Sequence, residues 1–175
     1  MLLRVDELNA LRGDLERYKG DKGKMRELLD DWLLLAYADG KTDVEDQLRG
    51  ESKASVDRIR DVMYAKVGGK TVLERLEEDK ELDDIEDLYL LFANERNRVY
   101  NTAANDTAKT LEAKYKTWNT MKDPRVRDTH DYLEGMTKPM NEPFYTYTGD
   151  SAQHPGAFGV AEQDINCRCW LTYTK

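Results

Sequence analysis

Two cysteines and a histidine near the C-terminal end are the side chains best suited to chemistry in this 175-residue chain. In an extended Cys-Arg-Cys segment, Cys167 and Cys169 point to the same side, so two thiolates can bind one metal ion. His130 is the natural third ligand, with Asp123 or His154 as the fourth. The pattern predicts a zinc site. A simpler interpretation stays open, in which both thiols are reduced and buried in the core.

A misplaced carboxylate and a pair of arginines form a second candidate group. Glu95 interrupts an apolar helical stripe, where a carboxylate is costly unless a cation meets it. Arg125 and Arg127 flank one valine, so in an extended segment they point to the same side, and guanidinium groups match a carboxylate with paired hydrogen bonds. We therefore predict a structural clamp joining these three residues. In the alternative interpretation, Glu95 lies at the solvated edge of the stripe.

The most basic stretch of the chain is a candidate contact for DNA. Lys114, Lys116 and Lys122 lie close to the two arginines, and Tyr115 and Trp118 are interleaved with them as base-stacking groups would be. In the alternative interpretation, the lysines lie at a helix end and complement its dipole.

The distribution of prolines divides the chain into a helical part and an irregular part. No proline occurs before Trp118, whereas all four prolines and both cysteines follow it. Glycine spacing in the first part predicts helices over 3–18, 24–37 and 42–67, and a short helix that begins at Thr71.

A long apolar stripe predicts that one helix runs to about Trp118 as the spine of the fold. Its members recur at three- and four-residue steps: Leu88, Phe92, Val99, Ala103, Leu111, Tyr115 and Trp118. We expect an α+β, mostly helical fold. It comprises an N-terminal helical region (1–82) and a second domain (83–175), in which the long central helix leads into a compact unit of short strands and loops.

The charge balance and hydropathy exclude several classes of protein. The chain has 27 Lys and Arg against 35 Asp and Glu, a net charge of −8, which disfavours general affinity for nucleic acid. Its longest apolar run, 32–38, is far shorter than the ~20 residues of a membrane span. The first residues resemble no secretory leader, so we expect synthesis in the cytoplasm and no membrane partner.

One ordered set of residues carries a family resemblance. Taken in sequence order, these residues resemble the pattern of the phage Mu F-like minor head proteins, also called phage head morphogenesis proteins. The set is Trp118, Asp123, Arg125, Arg127, His130, Gly135 and the closing Asn166, Cys167, Arg168 and Cys169. The resemblance covers roughly Glu95 to Tyr173.

The resemblance implies a structural protein of the bacteriophage head and not an enzyme. It implies a minor capsid protein that associates with the portal or inner shell and acts in head assembly or DNA ejection. Its expected partners are the portal protein, the major capsid protein and packaged DNA. Its expected location is the head interior of the virion, after synthesis in the host bacterial cytoplasm. The alternative is a metal-dependent nuclease or toxin-like hydrolase that uses His130, Asp123 and the cysteines.

Overall fold

A computed structural model describes residues 5–78 and 84–175, and it confirms the α+β, mostly helical class. The helices are α1 (Val5–Tyr18), α2 (Lys22–Leu48), α3 (Val56–Met63), α4 (Val72–Glu78), α5 (Ile85–Thr110), α6 (Asp128–Asp131) and α7 (Ala161–Asp164). The strands are β1 (Tyr115–Asn119), β2 (Thr137–Pro139), β3 (Phe144–Tyr145), β4 (Ser151–Ala152) and β5 (Trp170–Thr174). The domain boundary predicted between 82 and 83 lies outside the described residues. No helix in the described ranges is both long enough and apolar enough to cross a membrane.

Helix α2 continues through the position where glycine spacing predicted a break. Gly40 lies inside the helix, and a Cβ atom added there would lie 2.2 Å from the backbone oxygen of Tyr100 on α5. The glycine therefore permits close approach of two helix backbones. The predicted helix over 42–67 is also wrong, because α2 ends at Leu48 and Arg49 adopts a left-handed conformation with φ of 51°.

The two short helices that follow begin at side-chain caps. Ser55 accepts a hydrogen bond from the backbone N–H of Arg58 at 3.1 Å, which starts α3. Thr71 and Glu74 form a capping box: the Thr71 hydroxyl accepts from the Glu74 N–H at 3.1 Å, and the Glu74 carboxylate accepts from the Thr71 N–H at 2.6 Å. The predicted start of a helix at Thr71 is confirmed.

Helix α5 is the predicted spine, but it ends at Thr110 and not near Trp118. Glu112 adopts a left-handed conformation with φ of 57°, which turns the chain out of the helix. Tyr115 and Trp118 then lie on β1. Both residues continued the three- and four-residue spacing of the helical stripe by coincidence. A strand that begins shortly after a helix can place its apolar residues at positions that fit the same spacing.

Helices α2 and α5 pack along each other and pass through two hydrophobic clusters. The first cluster joins them to α1, α3 and α4, with Leu29, Trp32, Leu33, Phe92 and Val99 among its buried members. The second joins their other ends to the C-terminal unit, with Val44, Leu48, Ala104, Trp118, Leu133, Phe144 and Leu171 among its buried members.

The C-terminal unit contains a three-stranded antiparallel sheet in the order β2-β1-β5, and a separate hairpin of β3 and β4. Trp118 pairs with Leu171 across β1 and β5. At the β5 edge, the backbone N–H of Tyr173 donates to the Gln47 side chain of α2 at 3.0 Å. At the other edge, β2 ends in Pro139, which has no N–H to donate.

Candidate metal centre

His130, Cys167 and Cys169 meet in the interior of the C-terminal unit. The His130 Nδ1 atom lies 3.6 Å from the Cys167 Sγ and 3.5 Å from the Cys169 Sγ. The three residues are 1%, 4% and 3% exposed. A tetrahedral zinc ion with ordinary Zn–N and Zn–S bonds places nitrogen and sulfur about 3.6 Å apart. The donor set and its spacing therefore fit zinc, and the same distances also suit thiol hydrogen bonds to the ring.

A tight turn and two aromatic rings position His130. The Asp123 carboxylate accepts the backbone N–H of Arg125 at 2.9 Å, a turn that leads into α6 and its histidine. The imidazole stacks on Phe158 with ring centroids 5.4 Å apart, and Trp118 meets it edge-on at 5.6 Å. Packing therefore fixes the orientation of the ring.

The remaining ring nitrogen of His130 is buried, and within the described ranges its Nε2 atom has no hydrogen-bond partner. The indole N–H of Trp118 is also buried and has no hydrogen-bond partner among the described residues. Metal-binding histidines usually donate their second N–H to a carboxylate, carbonyl or water. For His130, packing against Phe158 and Trp118 holds the imidazole in place of such a hydrogen bond.

Two asparagines of α5 hold the cysteine segment. The Asn94 side chain accepts the backbone N–H of Asn166 at 2.7 Å, and the Asn101 amide donates to the carbonyl of Cys169 at 3.1 Å. Asn94 and Asn101 are seven residues apart, so they share one helix face. Neither asparagine was predicted from the sequence to have this role.

The two thiol groups shift each other's pKa in opposite directions. A hydrogen bond with Cys169 lowers the pKa of Cys167, burial opposes this effect, and His130 lowers the pKa further. The same interaction raises the pKa of Cys169, and burial adds to this effect. A bound cation would favour both thiolates, since metal binding displaces thiol protons.

The space beside the thiols is very small. A cavity of about 10 Å³ adjoins all three residues and is lined by Arg125, Arg127 and Arg168, among others. Such a volume is about what one water molecule requires. The centre therefore accommodates a water molecule or a single ion and excludes an organic substrate.

The structure brings neither candidate fourth ligand to the centre. The Asp123 carboxylate accepts two hydrogen bonds from Arg168, at 2.6 and 2.7 Å, which hold the pKa of Asp123 well below its usual range. The His154 ring is buried, with its Nδ1 3.0 Å from the carbonyl oxygen of Pro155, and burial lowers the pKa of His154 to about 4. His130 and the cysteines are thus a set of three within the described ranges.

The predicted clamp on Glu95 is wrong, because other arginines bind that carboxylate. Glu95 is 3% exposed and accepts hydrogen bonds from Arg75 and from Arg98, the latter at 2.8 Å. Arg98 also donates to the backbone carbonyls of Val62 and Met63, at the end of α3. The buried carboxylate therefore joins α3, α4 and α5.

The arginines assigned to that clamp have different partners. The Arg127 guanidinium donates to the backbone carbonyls of Gln163 and Ile165, so it anchors the C-terminal end of α7. Arg125 is exposed and lies 3.6 Å from the Asp123 carboxylate.

The predicted basic and aromatic surface does not form as a unit. Lys116 is fully buried, and its ammonium group donates to the Gln153 carbonyl at 2.9 Å and to the Gln153 side-chain oxygen at 2.6 Å. It therefore cannot contact DNA. Lys114 is exposed, and Lys122 is ion-paired with Glu134 at 3.0 Å. DNA contact by Lys114 and Lys122 stays a prediction.

The family model described as Phage Mu protein F like protein matches residues 57–172, about two thirds of the chain. The chain belongs to this family, as the sequence resemblance indicated. The match begins within α3 and ends within β5, so it includes the whole candidate metal centre.

Two curated relatives match shorter segments. The chain is 35% identical over 71 residues to Minor head protein GP7 of Bacillus phage SPP1, which is 41% of this chain and 23% of that protein. It is 44% identical over 54 residues to NAD(+)–arginine ADP-ribosyltransferase EFV of Enterococcus faecalis, which is 31% of this chain and 11% of that protein. The matches thus span less than a quarter of either relative. No solved structure matches.

Proposed function

We propose that this chain acts in assembly of the phage head, as a structural part of a minor head protein. The observation that carries the proposal is the family match, which extends over 57–172 and encloses the buried His130 and cysteine centre. The minor head protein of Bacillus phage SPP1 supports the same assignment.

The physical character of the centre favours a structural role over turnover. Its three side chains are buried, and the adjoining cavity of about 10 Å³ leaves no room for a substrate. We propose that His130, Cys167 and Cys169 hold one zinc ion, which links α6 to the segment before β5. A metal link of this kind stabilises small units with limited apolar cores.

The proposed location is the interior of the virion head, after synthesis in the host bacterial cytoplasm. The proposed partners are the portal protein and the major capsid protein, with a role in DNA ejection. The net charge of −8 lets the chain lie near packaged DNA without being held tightly by phosphates.

We propose no ADP-ribosyltransferase activity for this chain, because the matched 54 residues are only 11% of that relative. A nuclease or hydrolase centred on His130 would also need access for a substrate, which the small cavity does not provide.

Elemental analysis of the purified chain tests the zinc proposal. We expect about one zinc per chain, and a Cys167→Ser, Cys169→Ser variant should lose the metal and melt at least about 5 °C lower. Asp123→Asn is the control and should keep its zinc, because Asp123 is bound by Arg168. A metal-free wild type whose melting temperature matches that of the double variant would overturn the proposal.

Mass spectrometry of purified virions tests the head assignment. We expect the chain in virions at far lower abundance than the major capsid protein, and a tagged chain should retain the portal protein from infected cells. Absence from virions together with failure to retain either head component would contradict the assignment.

A further inference from the structure

A second and larger cavity lies away from the cysteine centre. This groove has a volume of about 420 Å³ and lies between the 52–55 loop, the first turn of α3 and the C-terminal end of α5. It shares no lining residue with the small cavity. Small-molecule sites typically occupy roughly 300–1,000 Å³, so the groove is of ligand size.

The charges that line the groove favour an anion. Lys53, Arg58 and Lys109 face it with one carboxylate, Asp106, which leaves a surplus of two positive charges on a chain of net charge −8. Arg58 is held by Asp106, with its Nε 2.8 Å from the carboxylate. Lys53 and Lys109 are exposed and form no ion pair with any residue in the described ranges.

Two hydroxyl groups that line the groove have no partner within the part of the chain that the structure describes. Tyr37 and Thr107 are each 4% exposed, and neither side chain forms a hydrogen bond with a described residue. Neither hydroxyl oxygen is a fully buried atom, so both reach the surface of the groove. Burial raises the pKa of Tyr37, and the Asp106 carboxylate adds to this, so the phenol stays a neutral donor. Both hydroxyls are therefore available to donate to an oxygen of a ligand that enters the groove.

We propose that this groove binds the phosphoryl group of a small ligand of about mononucleotide size. Lys53 and Lys109 supply the charge, and the hydroxyls of Tyr37 and Thr107 donate to phosphoryl oxygens. The groove is poorly suited to a long polyanion, because the exposed acids Glu51 and Asp57 adjoin its lining residues along the chain.

The test is calorimetric titration of the full chain with inorganic phosphate, with adenosine monophosphate and with duplex DNA. The variants are Lys53→Gln, Lys109→Gln and Tyr37→Phe. Lys114→Gln is the matched control, since it removes the same charge from an exposed lysine outside the groove. Circular dichroism of each variant checks that it is folded.

We expect saturable binding of phosphate and tighter binding of the nucleotide. Each groove-lysine variant should weaken nucleotide binding about tenfold, which corresponds to roughly 1.4 kcal/mol. Tyr37→Phe should weaken it several-fold, and Lys114→Gln should leave it unchanged. Absence of saturable binding by phosphate and by the nucleotide would overturn the proposal. Binding that Lys114→Gln weakens as much as the groove variants, or binding of duplex DNA alone, would also overturn it.

Discussion

Lys116 is a fully buried lysine whose ammonium group faces neutral partners. Its hydrogen bonds go to two oxygens of Gln153, and it lies 5.4 Å from the ring centroid of Phe144. Burial, with a smaller effect from Lys109, lowers the pKa of Lys116 to about 8 from an ordinary value of 10.5. The charged form is therefore less favourable in the folded chain than in the unfolded chain.

The contribution of Lys116 to stability should consequently increase with pH in an alkaline window. Between pH 8 and 10.5 the unfolded chain binds more protons at this site than the folded chain, so the contribution of this lysine to the free energy of unfolding rises with pH. The total contribution is about 3 kcal/mol. Lys116→Met should remove this contribution and stabilise the chain below pH 8.

Urea unfolding at several pH values measures this effect. Lys114→Met is the matched control, because Lys114 is exposed and close in sequence. The difference in unfolding free energy between wild type and Lys116→Met should shrink as the pH rises. A difference that is independent of pH would show that Lys116 titrates as it does in water.

The types of residue that form the site were easier to predict than the pairs of residues that bind each other. The grouping of His130 with Cys167 and Cys169 was predicted from side-chain chemistry and the two-residue spacing of the cysteines. The partner of Glu95 did not follow, although Arg98 lies three residues along the same helix, where such pairs meet. The second partner, Arg75, comes from another helix, and one sequence contains no information that selects it.

The crossing of α2 and α5 depends on one glycine. A Cβ at Gly40 would lie 2.2 Å from the backbone oxygen of Tyr100, and backbone cannot move aside as a flexible side chain can. We expect Gly40→Ala to lower the free energy of unfolding by about 2 kcal/mol, since a clash of about 3 kcal/mol exceeds the gain of about 1 kcal/mol in helix propensity.

Gly13→Ala is the control in the same type of element. An added Cβ at Gly13 meets nothing within 4 Å, so α1 should be stabilised by up to about 1 kcal/mol. Urea unfolding of both variants gives the comparison. Stabilisation by both would mean that α2 and α5 do not approach as closely as the structure places them.

Helix boundaries with a local signal were predictable, such as the end of α1 at Tyr18, and boundaries that depend on distant residues were not. Thr71 and Glu74 form a local capping box that is visible in the sequence. Gly40 was misread as a break because its role depends on Tyr100, a residue far along the chain. A pattern of asparagines beside the apolar stripe of α5 was not recognised in the sequence. Its members are Asn94, Asn97, Asn101 and Asn105. Asn94 and Asn101 bind the cysteine segment.

The molecule as a whole should unfold as one unit, because α2 and α5 each contribute to both hydrophobic clusters. Leu133→Val removes one methylene from the second cluster and should cost about 1 kcal/mol. The midpoints seen by far-ultraviolet circular dichroism and by tryptophan fluorescence should fall together.

Leu34→Val is the control for this comparison, since Leu34 is 50% exposed and its truncation should change the unfolding free energy by less than about 0.5 kcal/mol. Two separated transitions in Leu133→Val would show that the clusters unfold independently. The sequence predicted a helical part and a later irregular part, but not that the same two helices serve both cores. That arrangement depends on long-range packing.

The edges of the small sheet affect how copies of this protein behave when crowded. Gln47 takes the N–H of Tyr173 at one border, and Pro139 ends the opposite border without an N–H. Each border therefore offers an extended segment of a neighbouring molecule one backbone donor fewer on which to add a strand. Both features make fibre-like growth through this sheet less favourable.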